Sequence, residues 1–250
     1  MTRLSNFDRR GVGLPAALVC LLLGAAVAPR AEQPAAPDAV APARFAAFLD
    51  QLKAEAIRRG ISETVAATAL DGLAPSPVVV ERDRSQAEAV LTIDAYVRRR
   101  LTPATVRQAQ RMATTHRAVL ARVGKTYGVQ PRYLVAVWGL ESNFGRFTGV
   151  RPTVQALATL AYDGRRGELF KNELFDALRI VERGDIDLAR LKGSWAGAMG
   201  QPQFMPSSYL KYAEDFDGDG TRDIWSNPAD VFASIANYLK AYGWDGEATW

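Results

Sequence analysis

Apolar side chains in this sequence return every third or fourth position and never alternate over the length of a strand, which restricts the chain to a mainly α architecture. Phe45, Phe48, Leu49, Leu52, Ala56 and Ile57 fall at helical spacing, and Gly60 follows where a helix would be capped. Ser62 is placed to N-cap a second, short helix over 62–70. The stretch 73–80 carries Pro75 and Pro77 and is predicted to be irregular or extended. A helix over 92–101 and a long one over 105–127 follow, the latter with a broad apolar stripe from Val106 to Val123. Gly128 ends it, and Pro131 opens the next helix at a position where a missing N–H costs nothing. Further helices are predicted over 154–161, 168–182, 207–215 and 228–242, with no internal repeat and no coiled-coil heptad.

The front of the chain has a different character. Arg3, Arg9 and Arg10 precede an apolar run over 11–28 that ends in Ala26-Val27-Ala28, the small-x-small pattern of a signal-peptidase site. Residues 1–28 are therefore predicted to be a signal peptide. Pro29 after Ala28 makes a cut after Ala26 an alternative, and an uncleaved anchor is the other reading of the same run. Either way the bulk of the chain is exported, and a periplasmic location is expected. Residues 29–43 (PRAEQPAAPDAVAPA) have no periodic apolar face and read as a flexible Pro/Ala leader. Formal net charge is +4, and removing 1–28 leaves 28 basic and 26 acidic residues, so no nucleic-acid partner is expected. Cys20, the single cysteine, lies in the apolar run, so the exported part has no disulfide and must rely on core packing.

The segment from Tyr133 to Glu141 is an apolar helix with one acid at its far end. Leu134, Val137 and Trp138 stand seven, four and three positions before Glu141 and share its face. A carboxyl among such neighbours is partly desolvated, which raises its pKa and keeps it protonated. That state is what glycosidic cleavage requires of a general acid. Ser142-Asn143-Phe144-Gly145 then breaks the helix and would leave the carboxyl at a cleft wall. Taken alone, the pattern fits equally well a carboxylate that caps a turn or pairs with Arg146 or Arg151.

A second segment, 193–206, is dense in Gly and amide side chains (GSWAGAMGQPQFMP). Small residues let backbone approach a ligand closely, and Ser194 and Gln203 supply hydrogen bonds suited to sugar hydroxyl and acetamido groups. Trp195, Phe204, Tyr209 and Tyr238 are candidates for stacking on pyranose faces, although each taken singly fits a core position as well.

The stretches AVWGLESNFG, LAYDGRRGELF, GSWAGAMGQPQFMPSSYLKYAEDFDGDGTRDIW and SIANYLKAYGW together resemble the lytic murein transglycosylase B family, from about Phe45 onward. The resemblance implies a lysozyme-like transglycosylase domain over 44–250 with an EF-hand-like loop, acting on peptidoglycan glycan strands as a monomer. It implies Glu141 as the catalytic acid and base, with Ser194 and Gln203 lining sugar subsites and Tyr238 in the same cleft. The implied reaction cleaves the MurNAc-β-1,4-GlcNAc bond and leaves 1,6-anhydro-MurNAc ends, with no cofactor required for the chemistry. A muramidase hydrolysing the same bond, or a non-catalytic peptidoglycan-binding protein, are the alternatives. The chain stops at Trp250 without a closing helix where family members continue, so the domain is expected to be C-terminally incomplete.

Asp215, Asp217 and Asp219 at positions 1, 3 and 5, Gly220 at 6 and Asp223 at 9 open like an EF-hand calcium loop. Arg222 stands at position 8 where an apolar residue is usual, and Ser226 stands at 12 instead of Glu. The resemblance supplies Asp230 as the terminal ligand, so a structural Ca²⁺ held by Asp215, Asp217, Asp219, the Thr221 carbonyl and Asp230 is expected. A solvated Asp/Gly turn is the alternative. His116, the only histidine, has no Cys or second His with which to build a zinc site and is expected to be structural.

Overall fold

The computed structural model describes residues 42–85 and 92–247, and there the chain forms eleven helices. They are α1 (Pro42–Arg58), α2 (Glu63–Leu70), α3 (Pro77–Ser85), α4 (Ile93–Arg100), α5 (Pro103–Thr115), α6 (Arg117–Tyr127) and α7 (Pro131–Ser142), followed by α8 (Thr153–Asp163), α9 (Gly167–Glu182), α10 (Pro206–Tyr212) and α11 (Pro228–Ala241). Two strands of two residues each, β1 (Arg151–Pro152) and β2 (Lys192–Gly193), pair antiparallel. The signal segment and the leader as far as residue 41 lie outside the described residues. Helix α1 begins at Pro42, two residues before the predicted start of the folded domain, and proline suits a first helical turn.

Two buried clusters hold these helices. In the first, α8 is the centre: Val154, Ala156, Leu157, Ala158 and Leu160 are all buried, as expected of a helix apolar on every side. Against it lie Phe170, Leu174, Phe175 and Leu178 of α9, Phe45, Leu49 and Leu52 of α1, and Leu70 of α2. Ser62 caps α2 by accepting from the Val65 N–H, while its own N–H and hydroxyl donate to Glu182 of α9 at 2.9 and 2.8 Å. The second cluster joins Leu120 and Val123 of α6, Leu134, Val135 and Trp138 of α7, and Val231, Phe232 and Ile235 of α11. Helix α11 serves both, since Tyr238 packs into the first.

Two predicted elements are corrected. Within the stretch 73–80, expected to be irregular or extended, residues 77–80 begin a helix that runs to Ser85, because Pro77 sits at its first position, where proline is harmless. Val79 then enters the core, and buried Asp83 is gripped by Arg165 and Arg166 at the start of α9. The long helix over 105–127 is broken at His116 (φ −101°, ψ 18°). There the imidazole stands edge-on to Trp138 and Phe232, at centroid distances of 5.4 and 5.5 Å. Burial pushes its pKa down, so it is a neutral packing residue.

Candidate active site

Glu141 lies in the last turn of α7, and the chain reverses immediately after it. Asn143, Phe144 and Gly145 all take positive φ (50°, 59° and 79°). For a residue as bulky as Phe144 this conformation is strained and needs surrounding structure to impose it. Gly139 supplies the space: a side chain there would meet the Phe144 ring at 2.6 Å, so the ring folds back over the helix and against Trp138. Ser142 fastens the turn, its hydroxyl donating to the Trp138 carbonyl at 3.1 Å and accepting from the Gly145 N–H at 3.0 Å. Among the described residues only three non-glycine positions have positive φ, and the third, Gln203 at 52°, lies in the facing loop.

Sequence spacing placed Glu141 on the inward face of α7. Leu134 and Trp138 on that face are buried, but Glu141 itself is open to solvent on one side. Protein surrounds it on the others closely enough that burial pushes its carboxyl above the usual range, an effect that the positive charge of Arg100 partly offsets. A carboxyl that stays protonated yet accessible is suited to give a proton to a bound molecule. Arg100, at the end of α4, went unnoticed in the sequence because it is the last of three consecutive arginines on a helix without buried residues.

Loop 193–206 packs against the Glu141 turn. A side chain on Gly149 would meet the Gly193 backbone at 1.9 Å, and one on Gly145 would meet the Gln201 amide at 2.4 Å, so both glycines are required by close approach. The Ser194 hydroxyl oxygen accepts from the N–H groups of Ala196 and Ala198, which leaves its proton free to donate outward. Gln203 Nε2 donates to the carbonyls of Thr148 and Gly200, which leaves its Oε1 as the acceptor. Ser194 and Trp195 also line a cavity of about 480 Å³ with Arg82 and Arg151, and its lining includes neither Glu141 nor Gln203.

Tyr238 reaches this region from α11. It is buried against Phe204 and Tyr242, at ring-centroid distances of 5.4 and 4.6 Å. Burial and the Tyr242 phenol hold its hydroxyl protonated, and the Glu141 charge acts in the same direction. The other stacking candidates differ. Tyr209 is fully buried with its hydroxyl on the Arg222 carbonyl, Phe204 is core, and only Trp195 keeps partial exposure at a cavity.

The acidic loop brings carboxylate oxygens of Asp215, Asp217 and Asp230 within 4.8 Å of one another. Asp230 is wholly buried, its two oxygens accepting from the N–H groups of Phe216 and Asp223 at 2.8 and 2.9 Å. Burial, with the charges of Asp217 and Asp215 adding to it, pushes its pKa up to about 6 despite those bonds. A buried acid facing two others is a donor set fitted to a hard divalent cation. Asp219 is outside that trio and instead accepts from the Thr221 N–H and hydroxyl, at 2.8 and 2.6 Å. Arg222 leaves the loop altogether, pairing with Asp185 at 2.9 Å and lying over Tyr209, which explains how a cation can occupy position 8.

Comparison with known proteins identifies the family. The family described as "Transglycosylase SLT domain" matches residues 44–250. Membrane-bound lytic murein transglycosylase B of Escherichia coli is 42% identical over 150 residues, covering 60% of this chain and 41% of the relative. SltB3 of Pseudomonas aeruginosa, in complex with NAG-NAM-pentapeptide, superposes with a TM-score of 0.79 at 44% identity, covering 82% of this chain and 55% of that one. The same protein in complex with NAG-anhNAM-pentapeptide superposes equally well. Escherichia coli lytic transglycosylase Slt35 in complex with calcium gives a TM-score of 0.73 at 33% identity, covering 81% of this chain and 65% of that one. The chain thus spans about half the length of these relatives, and its mainly helical fold is the lysozyme-like fold of the lytic transglycosylases. With its matched region running unbroken from residue 44 to residue 250, the chain belongs to the transglycosylase SLT domain family.

Proposed function

We propose that this chain is a peptidoglycan lytic transglycosylase that cleaves the MurNAc-β-1,4-GlcNAc bond. The observation that carries the reading is Glu141: an accessible carboxyl, raised by burial, on which Arg100 is the one charge among the described residues that bears. The protonated carboxyl gives its proton to the glycosidic oxygen as the C1–O bond breaks and the ring gains oxocarbenium character. The resulting carboxylate then takes the proton from the muramoyl C6 hydroxyl, whose oxygen bonds to C1. One residue thus acts as acid and then base, and no water is consumed. The Ser194 hydroxyl is placed to donate to a sugar oxygen and Gln203 Oε1 to accept from an amide or hydroxyl. Tyr238, kept as a phenol, gives the cleft wall a neutral face. The complex of SltB3 with NAG-anhNAM-pentapeptide supports the anhydro product.

Product analysis tests this. Purified peptidoglycan treated with the protein should release muropeptides ending in 1,6-anhydro-MurNAc, and reducing MurNAc ends in their place would assign a hydrolase instead. The acid role also fixes the pH response. Because the first step needs protonated Glu141, kcat/KM should fall as pH rises through a value above the ordinary carboxylate range. Arg100→Gln removes the charge that favours ionisation and should move that limb to higher pH. A limb that stays in place, measured on soluble muropeptides, would remove Arg100 from the site.

Asp215, Asp217 and Asp230 are the residues of this chain that would hold a structural Ca²⁺, with the Asp219 side chain and the Thr221 carbonyl completing the shell after a local turn. Slt35 in complex with calcium supports that choice of ion. A periplasmic site of action follows from the predicted export segment, and among the described residues no helix is long and apolar enough to cross a membrane.

A further inference from the structure

Gln201 went unnoticed in the sequence among the small residues of loop 193–206, yet its side chain is buried and fully engaged. Its Oε1 accepts from the Trp138 indole N–H at 2.7 Å, and its Nε2 donates to the Trp225 carbonyl at 2.8 Å. Its backbone N–H donates to the Ile224 carbonyl at 2.9 Å. Neither amide nor indole has room to turn away. Gly145 leaves no space above the amide, and a side chain on the preceding Gly200 would strike Ile224 at 2.7 Å. Trp138 is wedged edge-on among His116, Phe144 and Phe232.

Trp138 is one helical turn before Glu141, and its carbonyl receives the Ser142 hydroxyl and the Phe144 N–H that shape the reversal after Glu141. Trp225 and Ile224 lie just beyond the acidic loop, where Asp223 is bonded to Asp230. One amide therefore joins the turn that carries the acid to the segment closing the acidic loop. Both ends of that amide are buried, where an unpaired donor or acceptor is costly, so the bonds resist slippage of either segment.

We infer that Gln201 is a positioning residue for Glu141: by fixing Trp138 it sets the roll of the last turn of α7 and the enclosure of the carboxyl. This rests on the proposed acid role of Glu141. The test uses Gln201→Leu, which removes both side-chain bonds at similar volume, and Trp138→Phe, which removes the indole donor together with the volume of its second ring. Glu141 is titrated by ¹³C-carboxyl NMR in each folded variant, and kcat and KM are measured on soluble muropeptides. We expect the Glu141 pKa to fall toward the ordinary carboxylate value in both, because a loosened turn lets water in. We also expect kcat to drop about tenfold or more with KM changed less than about twofold, the pattern of lost geometry without lost binding. The double variant should lose less than the sum of the single losses, since the Trp138–Gln201 bond is common to both. A Gln201→Leu protein with parental titration and parental kcat would overturn the inference. Should that variant not fold, Trp138→Phe decides the matter by the same two readouts. A parent protein that cleaves nothing would defeat the acid role alone, while the titration would still report whether the amide sets the environment of Glu141.

Discussion

Glu141→Gln should fold and bind glycan as the parent does and lose at least about a thousandfold in kcat, because both proton transfers are assigned to one carboxyl and such transfers are each worth about 10²–10⁴. The amide has the same shape but can neither give a proton to the glycosidic oxygen nor take one from the C6 hydroxyl. Gln also removes the charge that the site disfavours, so the melting temperature should stay level or rise. Release of soluble muropeptides from labelled peptidoglycan measures the rate, and pull-down on the same sacculi measures binding. A Glu141→Gln protein that releases muropeptides at the parental rate would remove Glu141 as the acid, whereas a parent that binds sacculi and releases nothing would leave a binding protein, not an enzyme, as the reading of this chain.

Removal of divalent cations should cost several degrees of thermal stability near pH 7.5. With the ion at about a hundred times its Kd, binding to the folded state alone contributes about 2.7 kcal/mol, and for a domain of this size 1 kcal/mol moves Tm by roughly 2–4 °C. The pH dependence carries a distinctive sign. The Asp230 carboxyl is raised from 3.8 to about 6, so the folded state favours its protonated form. Without a cation, that contribution is fully present below pH 3.8 and is lost as pH rises through about 6, a change on the order of 3 kcal/mol. The cation-free protein should therefore gain stability on mild acidification toward pH 5, while the calcium-loaded protein loses part of its advantage there. Asp230→Asn should abolish the calcium response and flatten this part of the pH profile. Differential scanning calorimetry at pH 5 and 7.5, with calcium or with chelator, reads all of these. Equal melting temperatures with and without calcium at pH 7.5 would show that the acidic trio holds no stabilising ion.

The helices with a clear 3.6-residue period lie where the sequence puts them, because burial of one face decides both pattern and structure, as in α1, α9 and α11. Pattern failed where a local rule met a tertiary one. Pro77 signals a break, yet a proline at the first position begins α3, and the Asp83 grip by Arg165 and Arg166 comes from residues more than eighty positions away. The stripe over 105–127 continues through His116, so periodicity could not show that the ring would turn inward onto Trp138. In the candidate site, the apolar setting of Glu141 and the opening of the acidic loop were readable from residue type and spacing, whereas the cleft role of Tyr238 and the place of Asp230 came from the family resemblance. Gln203 and Gln201 were not distinguishable that way. Both are amides in a glycine-rich loop, and only the backbone path shows that Gln201 is engaged at both ends of its amide while Gln203 keeps a free oxygen.

The way α11 is shared between the two buried clusters governs how the chain can acquire its structure. Helices α1 and α2 wait for α8 and α9 before their apolar faces are covered, and α5 to α7 wait for α11. No contiguous piece that stops short of α11 has a finished interior, so a growing or threading chain emerges with its early helices uncovered. The cluster that carries the Glu141 turn is closed only when α11 is in place, and the same helix supplies Asp230 to the acidic loop, so one late element completes both.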